Sequence, residues 1–315
     1  MLRNRSITMH QRGVAIITAL LIVAIVATIG VKLATHLQLD VRRTGNIISN
    51  EQALVFVSGA EELAKYGLRL DREDNTTDHY QEDWALEQTF PFEGGALKGK
   101  LTDLQGCFNI NSLFVNNAVN ITARTRFQKM LSDKRINADV VDAVIDWLDS
   151  DVNTTLPNGA EDGYYMNLEK PYRTANQAMQ SVSELRLVKG FEDPDVFNKI
   201  APGLCAFGVA TAIGINVNTA PAEVLSSLAP DMTLQQAEQI IPSEEQPPYT
   251  DVADMISRNN LSKVITNLEQ LSVASDYFLL STEVIIGQSR VQAYSVLSRT
   301  ANGDTTVLMH SIGAY

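Results

Sequence analysis

The chain has 315 residues, of which 45% are hydrophobic and 20% are charged, and its formal net charge is -12 at pH 7. This balance is that of a folded protein and excludes a disordered chain. The acidic excess argues against nucleic-acid binding, because a phosphate backbone requires a clustered basic surface. We therefore expect no nucleic acid among the partners.

Residues 14–31 form an uncharged apolar run, which Arg3, Arg5 and Arg12 precede. As a helix this run is about 27 Å long, close to the thickness of a bilayer's hydrocarbon core. Because the arginines lie on the leading side, residues 1–13 are expected in the cytoplasm and the rest across the membrane. Three interpretations compete: a signal peptide, for which the run is long, a plain single-pass anchor, and a basic leader that is cut after Gly13.

The pattern after this run predicts a long stalk and then a loop. Residues 32–70 contain no proline and repeat apolar residues at helical spacing, so residues 14–70 are predicted as one helix about 85 Å long. A helix of that length needs lateral support along its apolar stripe. The acidic run 71–83 is predicted as a solvated loop.

The remaining elements predict strands on either side of a helical block. Residues 90–104 alternate as strand material around a Gly94-Gly95 turn, and residues 277–287, 290–300 and 305–312 form a meander. The early and late strands are expected to share one sheet against the stalk. Short helices are predicted between them, at 125–131, 138–148, 177–187, 194–200, 222–228, 234–241, 249–256 and 261–268.

The sequence resembles a known family. A basic leader that ends in Gly13 and continues into an apolar, then amphipathic, helix is similar to type IV prepilins and type II secretion pseudopilins. The resemblance is specific to the K-type minor pseudopilin. It implies an α+β pseudopilin fold with a large inserted all-α domain: leader 1–13, transmembrane and stalk helix 14–70, sheet domain 71–110 and 274–315, and inserted helical domain 111–273. The residues that carry it are 105–111, 145–151, 159–162, 183–190 and 215–220.

The resemblance also implies how the protein matures and assembles. A prepilin peptidase is expected to cut between Gly13 and Val14, and the new amine is expected to be methylated. Thr18 stands at the fifth mature position, where the family usually has a glutamate that pairs with a neighbour's amine, and the K type characteristically lacks this glutamate. The expected partners are the I- and J-type minor pseudopilins, other pseudopilins and the inner membrane. The bulk of the chain is expected in the periplasm and finally at the pseudopilus tip, where it would initiate or cap assembly for protein export.

One acidic segment predicts a calcium site. Asp149, Asp151 and Asn153 alternate like the first three ligands of a calcium loop, but Thr154 and Ala160 stand where the turn glycine and the closing glutamate belong. The shell would be completed by nearby carboxylates, and the resemblance implies two calcium ions in this domain. An acidic loop at a helix end remains the alternative. The remaining candidate ligands are Asp146, Glu161 and Asp162.

The chain has two cysteines, Cys107 and Cys205, both expected on the oxidising side of the membrane, where a disulfide persists. Two unrelated buried thiols are the alternative. The sequence contains no nucleophile elbow, zinc-protease motif or catalytic triad spacing, so we expect a structural protein and not an enzyme. The alternative function is a membrane-anchored periplasmic calcium-dependent binding module or hydrolase.

Overall fold

The structure, a computed structural model, describes residues 11–208, 213–243, 245–287 and 289–313. Its first element is helix α1, Gln11–Asp74, which is 64 residues long. Every residue from Val14 to Ile48 is exposed, and the first fully buried residue after Val14 is Ala53. By length and composition this helix is able to cross a membrane, with a mean hydropathy of 2.9 over its most apolar window. The predicted stalk is therefore confirmed and extends one turn beyond residue 70.

A short hairpin follows α1. A 3-10 turn at Asp83–Ala85 leads into strand β1, Gln88–Phe92, and strand β2, Gly95–Asp103, with Gly94 at a φ of 86° in the turn between them. The positive φ explains why glycine stands at this position. Phe56 of α1 stacks on Phe92 with ring centroids 4.1 Å apart, which fixes the hairpin on the stalk.

The middle of the chain is mainly helical. Most predicted helices are present, but residues 261–268 form turns, and of residues 177–187 only Val182–Leu187 are helical, as a 3-10 helix. Leu261 and Ile265 are buried at helical spacing because of one isolated turn, in which the Ile265 amide donates to Leu261 O at 2.8 Å. The helices are α2 Ile121–Asp133, α3 Val141–Leu148, α4 Asp162–Tyr165, α5 Pro194–Ile200, α6 Ala222–Ser226, α7 Leu234–Gln239 and α8 Val252–Arg258.

This region also contains three two-stranded pairs that the sequence did not predict. Two of them are parallel and bring together segments far apart in the chain. They are β3 Phe108–Asn109 with β6 Leu204–Cys205, β4 Phe114–Val115 with β5 Ala118–Val119, and β7 Ile215–Asn216 with β8 Leu271–Ser272. The inserted region thus combines short helices with small strand pairs.

The chain ends in a meander of three strands, β9 Tyr277–Ile286, β10 Ser289–Arg299 and β11 Thr305–Ile312, as predicted. With the early hairpin they form one antiparallel sheet of order β1-β2-β9-β10-β11. The pairing places Leu97 opposite Val284 and Leu101 opposite Leu280. These apolar side chains pack on the buried stripe of α1, which consists of Ala53, Val57, Ala60, Ala64 and Leu68.

The acidic segment predicted as a solvated loop is in part buried, and that prediction was wrong. α1 continues to Asp74, and Asp78 is fully buried against Arg299 of β10, whose Nη2 donates to Asp78 Oδ1 at 2.5 Å. Asn216 of β7 donates to both Asp78 O and Asp103 Oδ2 at 2.9 Å. A buried polar network therefore joins the stalk, the sheet and the inserted region, and this partnering makes an acidic segment stable in the interior.

Candidate functional site

The acidic segment after helix α3 folds into a loop held from inside by Asp146. α3 ends at Leu148 because Asp149 adopts an extended backbone, with φ -78° and ψ 168°. The Asp146 carboxylate is fully buried and accepts from the Thr155 amide at 3.0 Å. A Cβ on Gly159 would collide with Asp146 Oδ2 and with Thr155 O, so only glycine allows this close approach. Asp146 thus shapes the loop from its inner side.

The loop gathers three carboxylates. Oxygen atoms of Asp149, Asp151 and Glu161 all lie within 4.8 Å of one another. The pKa of Glu161 is raised to about 7 and that of Asp149 to about 6, chiefly by burial and in part by the neighbouring carboxylates. Such a group is unfavourable when it is ionised, because like charges are held close together and two of the three, Asp149 and Glu161, are buried.

Two oxygen atoms at this site have no hydrogen-bond donor among the described residues. They are the buried Glu161 Oε1 and the buried Asn176 Oδ1. The Asn176 amide nitrogen donates to Asp151 O at 3.4 Å, so its side chain lies beside the loop. A buried acceptor without a donor is costly, whereas a hard cation would satisfy it. The donor set is made of oxygen atoms alone, as calcium prefers, and it therefore fits calcium.

Asp162 and Asn153, two other predicted ligands, make hydrogen bonds beside the three carboxylates. The Thr174 hydroxyl lies between Asp162 and Glu161: it donates to Asp162 Oδ1 at 2.8 Å, and Glu161 Oε2 is 3.2 Å from the same hydroxyl oxygen. That hydrogen bond lowers the pKa of Asp162, so this carboxylate stays ionised without a cation. The Asn153 amide donates to Asp151 Oδ1 at 2.7 Å and turns the loop. Sequence reasoning missed Thr174 and Asn176.

A second close group of carboxylates lies at the stalk, where Asp71, Asp78 and Glu82 come together. The fully buried Arg299 guanidinium occupies this group, and it donates to Asp71 Oδ2 at 2.7 Å and to Asp78 Oδ1 at 2.5 Å. Its positive charge already supplies what a cation would supply, so this group is an ion-pair cluster.

The two cysteines form a disulfide. Cys107 and Cys205 are bonded with an S–S distance of 2.08 Å and a Cα–Cα distance of 5.8 Å, across 98 residues of sequence. The bond lies where β3 pairs with β6, and thus ties the start of the inserted region to its middle. The predicted disulfide is confirmed, and the alternative of two free thiols is excluded.

The predicted cleavage position lies within α1, where Gly13 and Val14 are both helical. Four residues on, the Thr18 hydroxyl lies 3.1 Å from Val14 O and 3.0 Å from Ala15 O, to which it donates. The Thr18 side chain is therefore satisfied within its own helix and carries no charge.

A long N-terminal helix packed on an antiparallel sheet, with an inserted helical region, defines a pseudopilin-type protein. The fold matches a chain in the crystal structure of the GspK-GspI-GspJ complex from the enterotoxigenic Escherichia coli Type 2 Secretion System. The TM-score is 0.76 at 25% sequence identity, over 87% of this chain and 100% of that chain.

Sequence comparison gives the same family. The family described as type II secretion system (T2SS), protein K, matches residues 106–209 and 215–274. Type II secretion system protein K of Pseudomonas aeruginosa is 32% identical over 96% of this chain and 93% of that protein. The Klebsiella pneumoniae protein of that description is 32% identical over 92% and 93%. The chain belongs to the type II secretion system protein K family and is a minor pseudopilin of the K type.

Proposed function

We propose that this chain is a structural subunit at the tip of the type II secretion pseudopilus, where it joins the I- and J-type minor pseudopilins and initiates or caps assembly. The inserted region carries this proposal. It has its own core, separate from the core between stalk and sheet, and that bulk is difficult to bury inside a regular shaft. The solved complex supports the choice of partners, because it contains GspI and GspJ together with GspK.

Thr18 supports the same place in the filament. Its hydroxyl is bound within α1, so the chain offers no carboxylate at the position where a shaft subunit is expected to engage its neighbour's amine. A subunit without that group is suited to the first or topmost position. The chain is expected to have no catalytic activity of its own.

Maturation is part of the proposal and is tested by mass spectrometry of the chain purified from membranes that contain the prepilin peptidase. We expect a mature chain that begins at Val14 with a methylated amine, and the uncut chain when Gly13→Val blocks cleavage. Gly30→Val is the matched control within the same apolar helix, because a Cβ at Gly30 has open space around it. A wild-type chain that begins at Met1, or beyond Val31, would contradict the pilin-type maturation.

We further propose that Asp149, Asp151 and Glu161 hold a calcium ion, with Asn176 Oδ1 as a further candidate ligand. A bound calcium ion would neutralise the negative charge of the carboxylates and would coordinate the buried oxygens that have no hydrogen-bond donor. The loop's own residues hold these groups in place, since Asp146 fixes Thr155 and Thr174 orients Glu161. The second calcium ion that the resemblance implies stays a prediction.

The calcium proposal is tested by thermal unfolding of the full chain in detergent, with calcium alone and with a chelator. A ligand present at 100 times its Kd stabilises by about 2.7 kcal/mol, so the chelator should lower the thermal midpoint of the wild type. Glu161→Gln should remove this response, whereas Asp162→Asn, outside the group, should keep it. A wild-type midpoint that does not respond to chelation would contradict the proposal.

A further inference from the structure

An apolar groove of about 580 Å³ lies between the stalk helix α1 and the β1-β2 hairpin. One face of α1 forms its floor, with Ala60, Leu63, Ala64, Gly67 and Leu70 at helical spacing. The small side chains on this face leave room beside the helix backbone. The groove is therefore a feature of the stalk surface, and none of its lining residues belongs to the acidic loop 149–161.

The groove is open and its apolar walls are exposed to solvent. Leu63 is 52% exposed, Leu86 is 54% exposed and Phe90 is 45% exposed. A Cβ on Gly67 would meet nothing within 4 Å, so no described part of the chain fills the floor there. Clustered exposed apolar side chains of this kind mark an interaction surface.

The dimensions of the groove fit a row of side chains from a partner. Its floor extends from Ala60 to Asp74, which is about 21 Å of helix. The groove has a volume of about 580 Å³ and is open to solvent along that length. Side chains at positions i, i+3 or i+4, and i+7 of a helix laid along the groove would fill it.

The charge on the groove is confined to one end. Asp71, Asp74, Glu82 and Asp83 line that end, and no Lys, Arg or His is present among the described residues that line the groove. Arg299 pairs with Asp71, whereas Asp74 and Asp83 are exposed carboxylates. A complementary partner carries Lys or Arg at this end.

The neighbouring sheet edge favours a helix over an added strand. β1 is the edge strand on this side, and it contains Pro91, which has no amide hydrogen to pair with an incoming strand. The partner segment therefore lies along α1 without extending the sheet.

We propose that this groove binds an amphipathic helix of an I- or J-type minor pseudopilin, with its apolar row on Leu63 and Phe90 and a Lys or Arg against Asp74 and Asp83. The inference rests on the proposed function and names the surface through which it is carried out.

The test uses the full chain co-expressed in membranes with the I- and J-type pseudopilins. A photo-crosslinking benzoylphenylalanine replaces Leu63 inside the groove or, as the control, Tyr66, which is 62% exposed on the same helix but does not line the groove. We expect crosslinks from position 63 to map by mass spectrometry to an apolar helix with an adjacent Lys or Arg, and yields from position 66 at least tenfold lower.

A matched pair of substitutions then fills the groove. Gly67→Trp places a large side chain on its floor, and Gly59→Trp makes the same change on the same helix outside the lining. Both sites have open space for a Cβ, so both variants should fold, which thermal unfolding checks. Gly67→Trp should lower the crosslink yield at least tenfold, and Gly59→Trp should leave it unchanged.

The possible results of these experiments distinguish failure of the groove proposal from failure of the proposed function. If the chain co-purifies with both pseudopilins but position 63 links to lipid, to a second copy of this chain or to nothing, the groove proposal is wrong and the function stands. A yield unaffected by Gly67→Trp would also overturn the groove. A wild-type chain that co-purifies with neither pseudopilin would contradict both proposals.

Discussion

Methionine fills similar space to arginine but carries no charge. Replacement of Arg299 by methionine should therefore destabilise the junction of stalk and sheet. The Arg299 side chain is fully buried, and besides Asp71 and Asp78 it donates to Leu68 O at 3.2 Å and to Ser275 O at 2.8 Å. The substitution leaves the fully buried Asp78 carboxylate without its cation. It also leaves two backbone carbonyls without this donor.

The expected magnitude follows from these lost partners. Removal of one member of a buried ion pair costs about 3 to 5 kcal/mol, because the remaining charge stays in the interior uncompensated. For a domain of 150 to 250 residues, each kcal/mol lowers the thermal midpoint by about 2 to 4 °C. A cost of about 4 kcal/mol therefore predicts a decrease of roughly 8 to 16 °C. The double variant Arg299→Met/Asp78→Asn should recover part of it, because the unpaired charge is removed.

The deficit should also depend on pH. Burial raises the pKa of Asp71 to about 6 from its ordinary value of 3.8, although the hydrogen bond from Arg299 lowers it. A carboxyl whose folded pKa is raised contributes stability that is present below pH 3.8 and is lost as pH rises through the folded pKa. Loss of Arg299 raises this pKa further. The variant should therefore lie closer to the wild type at pH 5 than at pH 7.5.

Thermal unfolding of the full chain in detergent, followed by near-ultraviolet circular dichroism, measures these effects. Arg290→Met is the matched control: it lies on the same strand, its side chain is 64% exposed, and it pairs with Glu283. A pair whose cation is this exposed to solvent contributes about 0 to 1 kcal/mol. If Arg299→Met were no more destabilising than Arg290→Met, the buried network would not have the role that its geometry indicates.

Three further predictions concern buried groups and close contacts. Burial raises the pKa of Asp103 to about 6. The free energy of unfolding of the wild type, relative to that of Asp103→Asn, should therefore fall by up to roughly 3 kcal/mol between pH 4 and 7. A difference that stays constant over this pH range in denaturant titrations would refute the prediction. Gly159→Ala should destabilise by about 1 to 3 kcal/mol through its collision with the Asp146 carboxylate. Gly163→Ala, with open space for its Cβ, is the control, and equal thermal midpoints for the two would contradict the prediction. Cys205→Ser removes the disulfide, which spans 98 residues, and should lower the free energy of unfolding in urea by about 4 kcal/mol. The unreduced wild type should contain no free thiols.

The sequence predicted those parts of the fold that local patterns determine. The stalk helix and the three late strands follow from periods of 3.6 and 2 residues, and the buried alternation of β9 shows why the second period is visible. The burial of Asp78 was not predictable in this way, because its partner Arg299 lies 221 residues later. A charged segment is predicted to be exposed to solvent unless the residue of opposite charge that pairs with it is known.

The candidate calcium site shows the same division. Asp149, Asp151 and Glu161 are close in sequence, and the alternation of Asp149 with Asp151 predicted a cation loop that a nearby carboxylate such as Glu161 would complete. Asn176 carries no such signal, because it reaches the loop from 25 residues beyond Asp151 in a left-handed conformation with φ 48°. Residues that complete a site through a long loop are determined by tertiary packing.

The exposed middle of α1 has a consequence for how load passes through the molecule. Between Val31, where the apolar run ends, and Ala53, the first buried residue after it, about 20 residues of helix extend over roughly 30 Å, and all of them except the half-buried Ser49 are exposed. Val41 is 72% exposed there, and Ile47 is 62% exposed. A single unsupported helix bends easily under sideways force, so this length acts as a stiff strut only when neighbouring helices brace it. A force applied at the N-terminal end of α1 would therefore reach the sheet and the inserted region through those neighbouring helices.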